Sequence, residues 1–103
     1  MTAILSERIL EAQAAISGTL IETPTLTLNS DRWRAVLPSI AGGAVKLELF
    51  QQAGSFKSRG AYLGISKLST ENRAKGVVAA SGGNHAMAVA WAAQKLGVSA
   101  KIA

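Results

Sequence analysis

The alternation of hydrophobic and polar positions predicts short helices and strands in the first part of the chain. Apolar residues at helical spacing predict a helix over residues 7–17, with Ser6 as its N-cap and Gly18 in the left-handed position after its end. Residues 23–28 alternate threonine with leucine, which predicts a short extended segment or an edge strand. A second short helix is predicted over residues 31–37.

Residues 44–50 form the clearest predicted strand, because apolar and polar residues alternate strictly there. A helix is predicted over residues 57–68, with Ser55 as a candidate cap. A further short helical turn begins at residues 69–72 and ends near Gly76.

The last part of the chain predicts a strand, a helix and another strand. Residues 77–80 are wholly apolar, as expected for a strand buried on both faces. Residues 84–96 are alanine-rich and long enough for a helix, Gly97 closes it, and residues 98–103 form the next strand. The order of elements is typical of parallel βαβ units, so we expect an α/β fold with a parallel sheet of about three strands, covered on both faces. Because the last strand is incomplete, we expect a fragment or a domain completed by a partner.

Composition narrows the class of protein. The 103 residues suffice for one small domain, and 49% hydrophobic against 17% charged residues favours a folded chain. The absence of cysteine excludes a disulfide framework and thiolate metal sites, and it fits a reducing cytoplasm. The N-terminus lacks the features of a secretory signal, and no apolar run approaches the roughly 18 residues needed to span a membrane.

The formal net charge of +5 would suit a nucleic-acid partner, but the basic residues are scattered and aromatic residues are few. We therefore expect neither nucleic acid nor a membrane as partner, and an attraction for anionic small molecules instead. One histidine and six dispersed carboxylates offer no plausible set of metal ligands.

Lys57 lies at the junction of a predicted strand and a predicted helix, between Gly54 and Gly60. The ordinary interpretation is a solvated lysine in the first turn of a helix. The positive end of a helix and the like charge of Arg59, however, disfavour a protonated ammonium, and the neutral amine is the form that attacks a carbonyl. Lys57 is therefore a candidate nucleophile.

The segment Ser81-Gly82-Gly83-Asn84-His85 joins an apolar strand to a helix. As a generic loop it is a tight strand-to-helix turn with Asn84 as the cap. Small residues there also expose backbone N–H groups at a helix N-terminus, which favours binding of a carboxylate or phosphate. His85 could act as a base, although a lone histidine at a helix start is more often structural. The spacing fits neither a dinucleotide fingerprint nor a Walker loop.

Together the two motifs resemble the fold-type II pyridoxal-phosphate enzymes. The segments that carry the resemblance are GSFKSRGA at residues 54–61 and GVVAASGGNHA at residues 76–86. The closest group is the serine/threonine dehydratases (ammonia-lyases), with serine racemase and the threo-hydroxyaspartate dehydratases as near relatives. The resemblance covers roughly residues 20–103.

The resemblance implies part of a three-layer fold like that of the tryptophan synthase β subunit. Residues 1–75 would be the N-terminal part of the large cofactor-binding domain, and residues 76–103 the start of the small domain. The family's glycine-rich phosphate loop would lie beyond residue 103. The resemblance therefore implies an N-terminal fragment that is inactive alone.

By this resemblance, Lys57 matches the lysine that binds pyridoxal 5'-phosphate as a Schiff base and then removes the α-proton of the substrate. Phe56 matches the aromatic residue beside the cofactor ring, and Asn84 the asparagine that hydrogen-bonds the cofactor's 3-hydroxyl. The residues that would bind the substrate carboxylate follow the second strand: Ser81, Gly82, Gly83 and His85.

The implied reaction is α,β-elimination of a β-hydroxy amino acid, such as serine or threonine, to a 2-oxo acid and ammonia in a homo-oligomeric enzyme. Racemase-type members have a serine at the position of Gly82, so Gly82 favours elimination over racemisation. Two alternatives stay open. One is a non-catalytic remnant or oligomerising interaction module, and the other is a relative of serine racemase or threo-3-hydroxyaspartate dehydratase.

Overall fold

The structure, a computed structural model, describes residues 5–39 and 42–103. Along these residues the elements follow in the order α1 (Ser6–Ile16), β1 (Thr25–Leu28), α2 (Asp31–Val36), β2 (Gly43–Lys46), α3 (Lys57–Ser66), α4 (Thr70–Lys75), β3 (Val77–Ala79), α5 (Asn84–Leu96) and β4 (Ala100–Ile102). Two short 3-10 turns, Glu48–Phe50 and Gln52–Gly54, separate β2 from α3. In the described part of the chain, no helix is both long and apolar enough to cross a membrane.

Helix α1 begins one position earlier than predicted. Ser6 is its first helical residue and Leu5 precedes it in an extended conformation, so the prediction of Ser6 as the N-cap is wrong. The Leu5 carbonyl accepts the N–H of Arg8 at 3.0 Å, which starts the helix without a side-chain cap. The predicted left-handed position of Gly18 is confirmed by its φ of +77°, although the last helical residue is Ile16 and not residue 17. The extended segment and the short helix predicted next are confirmed as β1 and α2.

The first sheet is antiparallel, with β1 paired to β2 and Leu26 opposite Val45. The prediction that residues 44–50 form a strand of a parallel sheet is therefore wrong. Strict alternation is typical of an antiparallel strand with one solvated face, whereas parallel strands are usually apolar throughout. The strand is also shorter than predicted: it ends at Lys46, and a 3-10 turn begins at Glu48.

The second sheet is parallel, and α5 connects its strands β3 and β4 as a βαβ unit. Among the described residues it has two strands, not the three that were predicted. Helix α5 covers one face of the sheet, but Val78 on the other face is 83% exposed. The prediction of a strand buried on both faces is therefore wrong for this chain, since the described elements supply a cover for one face only.

The hydrophobic core lies where α3, α5 and the second sheet meet. Its buried members are Ile65, Val89, Ala92, Ala93 and Val98. The small alanine side chains of α5 bring its backbone close to its neighbours, and the rings of Tyr62 and Trp91 pack beside this core at a centroid distance of 5.9 Å. Because α3 follows the Lys57 motif and α5 follows the second motif, this core fixes both motifs on one scaffold.

The ends of the later helices mostly agree with the sequence pattern. Helix α5 spans the predicted residues and ends at Gly97, which has φ +66°. Helix α3 stops before its predicted end. Helix α4 is capped by Ser69, whose Oγ accepts the N–H of Asn72 at 3.2 Å, and it ends at Gly76 with φ +82°.

Candidate active site

The lysine loop, residues 51–56, connects the first sheet to α3 through an unusual backbone. Ala53 has φ +55° and Gly54 has φ +72°, so two consecutive residues are left-handed. A left-handed non-glycine residue costs roughly 1–2 kcal/mol, which neighbouring interactions must offset. One of these joins the Gly54 N–H to the Gln51 carbonyl at 2.8 Å. Such strained backbone is typical of functional sites.

Two buried serines fix the lysine loop to α3. Ser58 is fully buried, and its Oγ donates to the Gln52 carbonyl. Ser55 is also buried, and its Oγ accepts the backbone N–H of Lys57 at 3.4 Å. Phe56 immediately precedes α3 but already has helical dihedral angles (φ −61°, ψ −17°), whereas Ser55 before it is extended (φ −156°, ψ 163°). The extended backbone of Ser55 and its hydrogen bond to a first-turn N–H are those of a capping residue, so the prediction of Ser55 as a candidate cap is confirmed.

Lys57 is the first residue of α3, and its side chain is exposed. Its Nζ lies 5.2 Å from the ring centroid of Phe56, within the range of a cation–π contact. Phe56 is itself 60% exposed. The two predicted residues therefore present an accessible amine beside an accessible aromatic ring.

The sequence suggested that Arg59 places a positive charge near Lys57. In the structure this charge is compensated by Glu48. The Nε and Nη2 of Arg59 donate to the two carboxylate oxygens of Glu48, each at 2.8 Å. The hydrogen bond from Arg59, helped by a second one from Thr23, outweighs desolvation and lowers the pKa of Glu48 to about 2. The same pairing raises the pKa of Arg59.

Sequence reasoning missed the polar residues that brace this loop. Thr23 and Gln51 are buried, with 3% and 4% of their surface exposed. The Gln51 side chain bonds both backbone groups of Ile21: its Oε1 accepts the N–H at 2.9 Å and its Nε2 donates to the carbonyl at 2.8 Å. The sequence does contain one signal for the ion pair between Glu48 and Arg59: the two residues have opposite charges and lie on either side of the lysine loop.

The glycine loop, residues 81–85, leads from β3 into α5. Ser81 Oγ accepts the N–H of Gly83 at 3.2 Å, and the Ser81 N–H donates to the Ala103 carbonyl at 2.9 Å. A Cβ placed on Gly82 or Gly83 would meet nothing within 4 Å. The space beside this backbone is therefore open to a ligand.

Asn84 and His85 are the first two residues of α5, and both are exposed. Gly83 is the residue that precedes the helix, so the generic-turn interpretation with Asn84 as the cap is wrong. The first N–H groups of a helix have no partner within it, and the helix dipole is positive at that end. The start of α5 therefore offers backbone donors to an anion.

The structure places the predicted residues in two groups. Lys57 and Phe56 form the first at the start of α3, and the glycine loop forms the second at the start of α5. Helix α5 packs against α3 and also against the Gln52–Gly54 turn, so the two groups belong to neighbouring elements. Two cavities of about 300 and 500 Å³ have other linings, which include neither group.

The chain is similar in sequence to known enzymes. A model of the family described as "pyridoxal-phosphate dependent enzyme" matches residues 18–103. L-threonine ammonia-lyase from Thermotoga maritima is 45% identical over 101 residues, a stretch that is 96% of this chain and 24% of that protein.

Solved structures give the same result. Maize serine racemase matches with a TM-score of 0.82 at 42% identity, over 98% of this chain and 30% of that one. The processed form of threonine deaminase isoform 2 from Solanum lycopersicum matches with a TM-score of 0.70 at 36% identity, over 98% of this chain and 28% of that one. The chain thus spans 24% to 30% of the length of these three relatives.

These matches confirm the predicted family and the partial α/β fold. The family match includes both the lysine loop and the glycine loop. The chain therefore belongs to the pyridoxal-phosphate dependent enzymes.

Proposed function

We propose that this chain is the N-terminal part of a pyridoxal-phosphate dependent serine/threonine dehydratase, an ammonia-lyase, and that Lys57 is its catalytic amine. The observation that supports this most directly is the exposed amine at the end of a strained loop, beside the exposed ring of Phe56. Relatives named L-threonine ammonia-lyase and threonine deaminase favour this reaction class. Because the chain spans only part of these relatives, we propose that it is inactive alone.

The described residues fit pyridoxal phosphate by their chemistry. Its aldehyde needs an amine, which Lys57 offers, and its aromatic ring needs an apolar surface, which Phe56 offers. Its ring hydroxyl needs a hydrogen-bonding group, which the side-chain amide of Asn84 offers, and all three side chains are exposed. The open space over Gly82 and Gly83 leaves room beside them. When bound, the cofactor supplies an electron sink for the negative charge that develops at the substrate Cα.

Each residue has a task that its chemistry allows. The Lys57 amine binds the cofactor and accepts the Cα proton of the substrate as a general base. The backbone N–H groups at the start of α5, with the side chains of Ser81 and His85, bind the substrate carboxylate. The net change removes the Cα proton and the Cβ hydroxyl as water, and hydrolysis by one water then gives a 2-oxo acid and ammonia.

Gly82 favours elimination over racemisation, because glycine has no side chain that could deliver a proton to the opposite face of Cα. A Cβ at this position would meet nothing within 4 Å, so packing does not require glycine there. Racemisation is the second candidate activity, since maize serine racemase is similar to this chain in structure. Gly82 is the residue on which the choice depends.

An interaction role is the alternative for the 103 residues by themselves. Leu26 and Val45 pair across the first sheet while 54% and 41% exposed, and Val78 is exposed on the second sheet. Apolar surface of this kind favours association with another protein surface, which supports a homo-oligomer.

A cytoplasmic location is likewise a proposal, supported by the cysteine-free composition. The domain division at residue 76 is also a proposal, and the two separate sheets on either side of that residue support it.

Cofactor binding is tested by adding pyridoxal phosphate to the purified chain and recording the absorbance band of lysine-bound cofactor before and after borohydride. We expect a band that depends on Lys57 and is absent in Lys57→Ala. Lys67→Ala is the matched control, because Lys67 follows the other end of the same helix and is also exposed. A band that persists in Lys57→Ala would contradict the assigned role of Lys57.

Turnover is tested on a protein in which the chain is joined to the remaining segments of the T. maritima relative. We expect pyruvate from serine or 2-oxobutyrate from threonine, and no product from the Lys57→Ala variant. Racemised serine without any 2-oxo acid would show that the argument from Gly82 is wrong. Oxo-acid formation by the 103 residues alone would contradict the proposal that they are inactive.

A further inference from the structure

The carboxylate of Glu48 joins three parts of the chain. Arg59 binds both of its oxygens in a bidentate pair, and the Thr23 hydroxyl donates to Oε1 at 2.5 Å. The Lys46 ammonium lies 4.0 Å from the same oxygen and donates to the Thr23 carbonyl at 2.9 Å. The Glu48 side chain is only 17% exposed, so water screens these contacts weakly.

The side chain of Gln51 makes the second connection to the same segment. It bonds the N–H and the carbonyl of Ile21, and its Oε1 also accepts the N–H of Gln52 at 3.0 Å. The Arg59 guanidinium reaches the same Ile21 carbonyl at 3.5 Å. We call the residues that make these contacts the loop clamp: Thr23, Glu48, Gln51 and Arg59.

The loop clamp closes around the strained part of the chain. Glu48 precedes the lysine loop and Arg59 follows it, so their ion pair joins the two ends of the segment that contains Lys57. Between them, Ala53 adopts a left-handed conformation that an unrestrained chain would leave, and Gly54 follows it with φ +72°, which glycine adopts without steric cost. The segment around Ile21 supports the lysine loop, because the backbone N–H and carbonyl of Ile21 are both hydrogen-bonded to the side chain of Gln51.

We propose that the loop clamp is a positioning device, which holds the lysine loop in its strained form and thereby orients the Lys57 amine at the start of α3. This inference rests on the proposed cofactor role of Lys57. The residues of the loop clamp would affect the reaction through the position of Lys57, without contacting the substrate. An amine displaced by even about 1 Å reacts much more slowly, so a clamp of this kind acts on catalysis through geometry.

The test compares variants that loosen the loop clamp to different degrees. Glu48→Gln removes the charge, Arg59→Lys keeps the charge but loses the bidentate geometry, and Thr23→Val removes one hydroxyl from a buried site of the same shape. Thr23→Ser restores that hydroxyl and serves as the rescue. The matched control is Glu71→Gln, which breaks the 2.7 Å pair with Lys75 on the surface of α4.

Two quantities are measured for every variant. The first is amide hydrogen exchange of the lysine loop relative to α5, which needs no cofactor. The second is the fraction of borohydride-trapped cofactor on Lys57 relative to Lys95, read by peptide mass spectrometry. We expect loop exchange at least about fivefold faster and a Lys57 to Lys95 ratio at least about fivefold lower in the clamp variants, from the usual loss on breaking a charged hydrogen bond. Thr23→Ser and Glu71→Gln should match the wild type.

The outcomes separate this inference from the proposed function. Unchanged loop exchange in the clamp variants would overturn the inference, as would faster exchange with an unchanged Lys57 to Lys95 ratio, which a purely structural role would give. Equal loss of labelling in Glu71→Gln would also overturn it. A wild-type chain that shows no preference for Lys57 contradicts the proposed function itself, whereas a wild-type preference for Lys57 that the clamp variants retain contradicts the loop clamp alone.

Discussion

Gly76 is the position where a single added methyl group should do most harm outside the hydrophobic core. It ends α4 and leads into β3 with φ +82° and ψ −176°, a conformation that is essentially restricted to glycine. A Cβ there would lie 2.8 Å from the Ser99 carbonyl oxygen, the same oxygen that accepts the N–H of Val77 at 2.8 Å. Gly76→Ala therefore strains the backbone and pushes the start of β3 away from Ser99, the residue that precedes β4.

The expected loss follows from these two effects. Backbone strain of this kind costs about 1–3 kcal/mol, and forcing an atom into a filled space costs a similar amount, so we expect the free energy of unfolding to fall by about 2–6 kcal/mol. At roughly 1–1.5 kcal/mol per molar urea for a chain of this size, the unfolding midpoint should drop by at least about 1.3 M. The assay is urea unfolding followed by far-ultraviolet circular dichroism.

A matched control is available in α3. Gly64 lies inside the helix, and an added Cβ there would meet nothing within 4 Å. Gly64→Ala should therefore raise the free energy of unfolding by about 0.5–1 kcal/mol, the usual gain for alanine over glycine in a helix. A Gly76→Ala variant as stable as the wild type would refute the assigned backbone conformation at the start of β3.

Three further predictions concern stability. Because the pKa of Glu48 is about 2 in the folded chain and 4.5 without its partners, its contribution is complete above pH 4.5 and is lost as the pH falls toward 2, so urea midpoints of the wild type should fall more steeply over that range than those of Glu48→Gln. Ile65→Ala, in the core, should cost about 2–4 kcal/mol in urea unfolding, whereas Leu10→Ala, at a residue 63% exposed, should change stability by less than about 0.5 kcal/mol. Ser69→Ala should cost about 1 kcal/mol in thermal unfolding because Ser69 caps α4, and Ser30→Ala should cost less because Ser30 precedes α2 without a side-chain cap bond.

Local sequence patterns predicted the helices well and the sheets poorly. Helix α5 and its end at Gly97 follow from alanine content and a single glycine, which are local properties. The pairing of β2 does not, because the partner of a strand is chosen over long distances in the sequence. The alternation of apolar and polar residues around Val45 was nevertheless informative, because it is typical of an antiparallel strand. The prediction of a parallel strand at these residues did not take this into account.

The start of α1 was misplaced by one position for a physical reason. The N-cap is defined by the backbone conformation of the residue before the helix, which is the extended Leu5 for α1. Ser6 has the right side chain for a cap, but side-chain type alone does not set that conformation. At α3 the predicted cap agrees with the structure, because Ser55 is extended and its hydroxyl accepts the N–H of Lys57.

The candidate site was predictable only where its residues are neighbours in sequence. Lys57 and the glycine loop stand in compact motifs, so their residue types and spacing were visible. The contact between Gln51 and Ile21 joins positions 30 residues apart, and the hydrogen bond from Thr23 to Glu48 joins positions 25 apart. Such contacts depend on how β1 and β2 bring the chain back on itself, which no local pattern specifies.

The central claim is that Lys57 is the lysine that binds pyridoxal phosphate, and the most direct test is the position at which the cofactor is trapped. The protein is incubated with one equivalent of pyridoxal phosphate, reduced with borohydride, digested, and mapped by mass spectrometry. We predict that most of the trapped cofactor is on Lys57 and little is on the exposed control residues Lys67, Lys75 and Lys95. An even distribution over these lysines, or a preference for any of them over Lys57, would contradict the account.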